Sequence, residues 1–505
     1  MAKNRTTKFL MNSGSLAIQQ IVTLAAGLIM PRAMLLAYGS EVNGLVTSIT
    51  QLVTYINLVE AGLSGATTYA LYKPLADRDN DAISGVVSAS RKFYMQASAI
   101  VMALVCVLAV AYPLYIRSET MSMLEMGLLV VCIGANGALE FATLAKYRVL
   151  LTADQKTYIV SLGTIVYTIL NTAIVVGLAY AGVSVVIMKA VALSAMWIRS
   201  LILMLYCRKH YRHLNYKAEP NTKALNKRWD ALFLQILGVI HRGAPSLLIT
   251  LILKDLKLVS VYTVFNMVTS GLNNVMNIFK TGVSASFGEV IARREVQTLQ
   301  RAYGEFEFMF YKLIAVAYST CIVMIMPFIR IYTDGITDVN YNLPLLGLLF
   351  AVDGIFYSLK TPGGMLFIAA GMYRETRVQT IIEGLIMVVG GAILAKPMGI
   401  TGILIASILS NVYRAIELAF FVPNNITKAE VYGTFRKILM MMLTIVISVA
   451  PFWFIEISAG NYLQWAICAA GVAVYAVVAT LVVGFAFEKD DMKRVLRRIM
   501  RILKR

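Results

Sequence analysis

Charged side chains are scarce in this sequence. Asp, Glu, Lys and Arg make up 14% of it, against roughly a quarter in a soluble globular chain. No long polar linkers separate folded blocks, which excludes a string of soluble domains. The five cysteines (Cys106, Cys132, Cys207, Cys321 and Cys468) include no CxxC pair and lie in or beside apolar stretches. That excludes a disulfide framework and argues against a structural metal. No glycine-rich phosphate loop, metal-ligand cluster or nucleophile constellation is present, so nothing marks an enzyme and no cofactor is expected. Short alternating segments of the transmembrane-barrel kind are missing too.

What remains is apolar. The chain is 59% hydrophobic with a mean hydropathy of +0.72, and runs long enough to cross a bilayer recur from residue 9 to residue 487. The expected fold class is an all-α polytopic membrane protein with about 14 transmembrane helices. The first two are expected at 9–36 and 42–72, the fourth at 121–146, the seventh at 229–253, the eleventh and twelfth at 378–395 and 400–422, and the last two at 437–456 and 462–486. The opening stretch is basic and then apolar for too long to be a signal peptide, so it is expected to stay as the first span. No lipidation motif is visible.

The net charge of +19 invites a nucleic-acid reading, which its distribution excludes. With the N-terminus inside, the inner connections hold 33 Lys and Arg, and the outer ones hold only Arg117, Lys254, Lys257 and Lys396. This is the positive-inside bias of a membrane protein with both termini cytoplasmic, together with an attraction to anionic lipid. The inner loop 208–228 contains His210 and His213 and reads as a solvated basic link rather than a metal site. The tail 487–505 places Met492, Val495, Leu496, Ile499 and Leu503 on one helical face, which suits an amphipathic helix on the inner leaflet.

A shift of 217 residues lays the sequence on itself. Gly65 meets Gly282, Phe93-Tyr94 meets Phe310-Tyr311, and Gly182-Val183 meets Gly399-Ile400. Six spans is an even number, so the halves share one orientation. Two six-helix bundles related by a pseudo-twofold along the membrane normal are expected: 1–207 and 229–422, joined by the linker 208–228 and followed by two additional spans within 437–486 and the tail. Repeats of this kind point to transport by alternating access.

Seven cations fall deep within spans: Arg32, Lys189, Arg199, Arg242, Lys280, Lys360 and Arg414. Five acids do so: Glu60, Glu140, Asp353, Glu383 and Glu417. Arg242 is mid-span, too far from either headgroup layer to snorkel, and lipid exposure there would cost roughly 3 kcal/mol. Its reading is either a structural ion pair with Glu60, Asp353 or Glu417, or a cationic lining for an anionic substrate. The excess of cations over acids favours the second, and the other six cations join it as candidate substrate-binding residues. Glu60 and Asp353 are candidates for coupling to a proton or sodium ion, or else fixed counter-ions. His241 is either a proton sensor or a hydrogen-bonded core residue. Glu417 reads as a local partner of Arg414 at i+3. The energy source is expected to be H+, Na+ or the membrane potential.

The run GLIMPRAMLLAYGSEVNGLVTSITQLVTYINLVEAGLSGATTYALYKPLA resembles the opening helices of the polysaccharide-export and O-antigen flippase family, with Arg32, Gly39, Glu41, Gly44, Glu60, Gly62 and Leu63 at matching places. PMGITGILIASILSNVYRAIELAF resembles that family's Gly-Ile-x-Gly helix through Gly399, Ile400 and Gly402. LKTPGGMLFIAAGMYRETRVQTIIEGL is similar to its tenth-to-eleventh-span junction. The resemblance covers most of residues 10–422 and is specific to the superfamily of multidrug, oligosaccharidyl-lipid and polysaccharide exporters. It implies two lobes around a central cavity and a flippase for polysaccharide biosynthesis in the cell envelope. The substrate would be a lipid-linked oligosaccharide on undecaprenyl pyrophosphate, whose compact anion suits guanidinium groups. Partners would be membrane lipids and the polysaccharide polymerase and chain-length machinery, with no nucleic acid. An ion-coupled multidrug antiporter of the same superfamily ranks second. A membrane glycan polymerase or ligase ranks third, since every outer loop is short.

Overall fold

The computed structural model describes residues 2–216, 218–221, 243–372, 374–455 and 457–503. Every regular element among them is helical, as the unbroken apolar runs require of a chain without water to satisfy its backbone. The chain divides into two compact units, Met1–Ser260 and Val261–Arg505.

The first unit contains α1 (Ala2–Ile56), α2 (Ala61–Asp77), α3 (Asn80–Tyr115), α4 (Met123–Leu139), α5 (Ala145–Ala153), α6 (Thr157–Tyr180) and α7 (Val185–His210). It also holds α8 (Gly243–Leu253) and the start of α9 (Leu256–Ala292). The second has the rest of α9, α10 (Val296–Tyr332), α11 (Pro344–Leu359), α12 (Thr361–Ala369), α13 (Arg377–Leu385), α14 (Gly391–Val422), α15 (Val431–Val449), α16 (Tyr462–Phe487) and α17 (Lys489–Leu503).

Among the described residues ten stretches are long and apolar enough to cross a membrane, against about 14 expected. Two of the ten, Met11–Ile56 with 46 residues and Arg377–Thr427 with 51, are each long enough for two crossings at 1.5 Å per residue. Each is broken by a glycine at positive φ: Gly39 at 79° and Gly399 at 58°. These breaks fall in the gaps expected between 9–36 and 42–72 and between 378–395 and 400–422. The span expected at 229–253 lies largely outside the described residues.

Several features recur at the 217-residue offset. Gly182, at φ 71°, turns the chain between α6 and α7, and Gly399 does the same between the two arms of its span. The fourth span of the first unit is interrupted by a π turn, Glu140–Leu144. Its counterpart breaks between α11 and α12 at Lys360, the residue that the offset pairs with Thr143. Gly44 serves close approach: a Cβ there would collide with the carbonyl oxygen of Leu256. Beside it Asn43 Nδ2 donates to Ser260 Oγ at 2.8 Å.

Two expectations change. The segment after α7 does not read as a solvated link throughout. Tyr211 and Leu214 are buried among Leu150, Leu151, Leu203 and Cys207. Ser88 Oγ donates to Ala218 O at 2.6 Å, and Asn221 N donates to Gly85 O at 3.1 Å. A segment of consecutive turns packs beside α3, where its backbone groups find partners. Burial, then its hydrogen bond to Asp154, pushes the Tyr211 phenol well above its ordinary range. His210 and His213 are exposed, and no group of metal-ligating side chains occurs among the described residues.

The tail is helical, as its periodicity predicts, but its first turns are not left to lipid. Met492 and Val495 are buried against Phe308 of α10. The helices α15 and α16 pack on α10 as well. Lys437 Nζ lies 2.8 Å from Glu307 Oε2, Lys312 Nζ lies 2.5 Å from Glu488 Oε2, and Trp465 Nε1 donates to Met324 O at 3.0 Å.

Candidate functional site

Each unit contains a cluster of opposed charges inside its helices. In the first unit it is built on Glu60, in the 3₁₀ turn that follows α1, and on Glu140, which opens the π turn. Arg148 of α5 bridges them. Its Nη1 lies 2.5 Å from Glu140 Oε1, and its Nη2 is paired with Glu60 Oε1. Tyr94 Oη donates to the same Glu60 oxygen at 3.2 Å. Arg199 of α7 is buried, with Nη1 3.7 Å from Glu140 Oε2 and its guanidinium 5.6 Å from the centre of the Tyr167 ring. Arg199 Nε has no hydrogen-bond partner among the described residues. Two acids and two bases balance, so this cluster is neutral.

Arg148 was missed by the sequence reading, which ended the fourth span at 146 and counted this residue among the loop cations. The structure carries the helix on to Ala153. The π turn holds one residue more than an α turn. The eight-residue spacing from Glu140 to Arg148 therefore behaves as seven, close to two full turns, and both side chains share a face. A straight helix would have rotated Arg148 away.

In the second unit Lys360, at the break between α11 and α12, is paired with Glu383 of α13 and donates to Asn411 Oδ1 at 2.7 Å. Asn411 Nδ2 in turn donates to Asp353 Oδ1 at 2.8 Å. Arg414 Nη1 stands 2.6 Å from Glu417 Oε2, the i+3 partner expected, and its Nε is 3.6 Å from Glu383 Oε2. Ser410 Oγ donates to the Glu383 carbonyl at 2.6 Å. Three carboxylates thus meet two cations. Asn411 was missed because it is uncharged, although its place one turn before Arg414 marks the same helical face.

The structure therefore joins Asp353, Lys360, Arg414 and Glu417 in one unit, and Glu60 with Arg199 in the other. Lys360 and Arg414 are held by carboxylates and are not open cations. Lys189 differs: it is half-buried on the inward stripe of α7, between Val185 and Met196, and has no ion pair or hydrogen bond among the described residues. Arg32 follows Pro31 in α1, and Lys280 lies in α9, both half-buried and both with polar or ring interactions. His241 and Arg242 lie outside the described residues.

No protein-family model and no curated protein matches this chain. Solved structures do match in fold. The inward-facing conformation of a multidrug resistance MATE family transporter of the MOP superfamily aligns with a TM-score of 0.67 at 14% identity, covering 86% of this chain and 98% of that one. The lipid II flippase MurJ, in an inward closed conformation, aligns with a TM-score of 0.67 at 13% identity, covering 95% and 99%. The eukaryotic MATE transporter AtDTX14 aligns with a TM-score of 0.58 at 14% identity, covering 87% and 99%. At such identities the likeness is one of fold alone, a fold this chain shares with these transporters.

Proposed function

We propose that this chain is a flippase that carries a lipid-linked oligosaccharide, built on undecaprenyl pyrophosphate, from the inner to the outer leaflet of a bacterial cell membrane by alternating access. The observation that carries the reading is the reach of the likeness to the lipid II flippase. A match over 95% of the chain leaves about 25 residues outside it, fewer than the 75 that follow Glu430. It must therefore run into α15 and α16, the two spans beyond the twelve of the repeat.

Lys189, Arg32 and Arg242 are assigned to the pyrophosphate, whose oxygens suit guanidinium and ammonium donors, while Arg199 is assigned to the first unit's neutral cluster. Lys360 and Arg414 are assigned instead to holding the second unit's polar cluster together. Asp353 and Glu60 are the candidate coupling carboxylates, for H+ or Na+. Partners in this reading are bilayer lipids and the polymerase that consumes the flipped unit.

The second unit's cluster favours one alternative. With Asp353, Glu383 and Glu417 against Lys360 and Arg414, it carries more acid than base, which suits an ion-coupled exporter of organic cations. Leaflet exchange of a fluorescent lipid-linked oligosaccharide in vesicles of the purified chain, with defined proton and sodium gradients, decides between them. Exchange above empty vesicles supports the flippase. Absent exchange, with uptake of a cationic dye into inverted vesicles, overturns it.

A further inference from the structure

One end of the first unit gathers three cations that form no ion pair among the described residues. It is the end where α3 begins and where α5 and α7 finish. Arg91 of α3 and Lys146 of α5 are half-buried there, and Arg208 stands exposed in the last turn of α7. Tyr147 beside Lys146, Cys207 beside Arg208, and Tyr216 pack in one apolar cluster. None of the three cations forms an ion pair among the described residues.

Aromatic groups complete the place. Lys146 Nζ sits 4.9 Å from the centre of the Tyr147 ring. That ring meets Tyr216 edge-on with centroids 5.7 Å apart, and Arg91 Nη1 donates to Tyr216 O at 3.3 Å. Among the described residues the buried Tyr216 hydroxyl has no hydrogen-bond partner. Orphaned buried hydroxyls are uncommon and call for an explanation.

The contrast with the rest of the unit is what gives this weight. Arg148 is bound by two glutamates and Lys156 lies 2.8 Å from Asp154. Here like charges converge, at a cost in repulsion and desolvation that an anion would reverse. Two guanidinium forks and an ammonium supply more donors than a single carboxylate could use, and a tetrahedral phosphate accepts from all of them.

We propose that Arg91, Lys146 and Arg208, with the Tyr216 hydroxyl, form a binding site for the phosphate or pyrophosphate headgroup of a lipid. By the positive-inside orientation this site faces the inner leaflet, where a lipid-linked substrate begins its passage. The anion chemistry stands on the side chains alone; the naming of the lipid rests on the flippase reading.

The test uses the full-length chain in detergent and in nanodiscs. The probes are geranyl pyrophosphate, phosphatidylglycerol and inorganic pyrophosphate, measured by native mass spectrometry and calorimetry. The triple variant R91Q/K146Q/R208Q is expected to lose about tenfold in affinity. The control K209Q/R212Q removes two exposed cations of the same end and is expected to lose less than about twofold. R208Q alone changes an exposed position and keeps the comparison should the triple variant not fold; its expected weakening is about threefold.

Selective loss of geranyl pyrophosphate assigns the site to a substrate headgroup. Equal loss of phosphatidylglycerol assigns it to bulk lipid, and loss of inorganic pyrophosphate alone to a free anion. A folded triple variant, or R208Q, that binds all three probes as the parent does overturns the site. Leaflet exchange is measured separately, so failure of the flippase reading leaves this result standing and the reverse is equally visible.

Discussion

Arg148 and Glu140 occupy one span eight positions apart, yet their side chains meet at 2.5 Å because a π turn lies between them. The same guanidinium reaches Glu60 from another helix, so the pair ties the second, fourth and fifth helical segments of the first unit to one point. Arg148→Gln strands two partly buried carboxylates and is expected to destabilise the chain by about 2 kcal/mol, toward the low end for such pairs because the groups keep some solvent contact. E60Q should cost less in the R148Q background than in the parent, a coupling that thermal unfolding of the four proteins of the cycle reads directly. Additive effects would mean that the bridge contributes nothing.

Arg148 also shows where the sequence stopped being legible. Helical class, the gaps between spans in which Gly39 and Gly399 fall, and the Arg414–Glu417 pair follow from local rules of hydrophobic length and i+3 spacing. A π turn is not written in any one residue, so a side chain whose face depends on it is placed wrongly by an even 3.6-residue count. Asn411 escaped for another reason: a search for charges passes over the amide that connects Lys360 to Asp353. The burial of Tyr211 and Leu214 was hidden by the basic residues around them, which set the composition of the segment without setting its contacts.

Lys189 and Lys360 should respond oppositely to loss of charge. Lys189 has no counter-ion among the described residues, so Lys189→Gln removes an unpaid desolvation and is expected to leave thermal stability unchanged or slightly raised. On the flippase reading the same change lowers leaflet exchange by about tenfold, as expected for a lost contact to an anionic group. Lys360→Met instead leaves Glu383 facing Arg414 at 3.6 Å alone, and is expected to cost about 3 kcal/mol of stability. Melting curves alongside exchange rates separate the two. A destabilised K189Q would show that Lys189 is structural.

Glycine substitutions should rank by what each site demands. Gly44→Ala drives a methyl into the Leu256 carbonyl, and since backbone cannot swing aside as a side chain can, folded yield should fall steeply. Gly399→Ala has open space around its Cβ but must hold φ 58°, ψ −137°, a backbone region outside the left-handed helical well and essentially confined to glycine, and is expected to cost about 1–3 kcal/mol. Gly271→Ala, in regular helix with open space around it, should be neutral or slightly stabilising. Size-exclusion profiles and melting temperatures of the three variants test the order. An unaffected G44A would contradict the close packing of the second span on the start of α9.

The last two spans and the tail are fastened to α10 by two ion pairs whose acids are nearly sealed from solvent: the side chains of Glu307 and Glu488 are 3% and 2% exposed. Losing one partner of such a pair costs roughly 3–5 kcal/mol, because the other charge stays buried. Lys312→Glu sets two carboxylates against each other where the chain turns from α16 into α17, and should loosen that junction. Exchanging both, K312E/E488K, restores opposite charges at the same places and is expected to recover at least half of the lost stability. The reach of the two side chains differs, so recovery should be incomplete. Limited proteolysis between α16 and α17 reads the effect locally: faster cleavage in K312E, slower again in the double exchange. Equal cleavage in all three would show that Met492 and Val495 hold the tail to Phe308 without help from the charges.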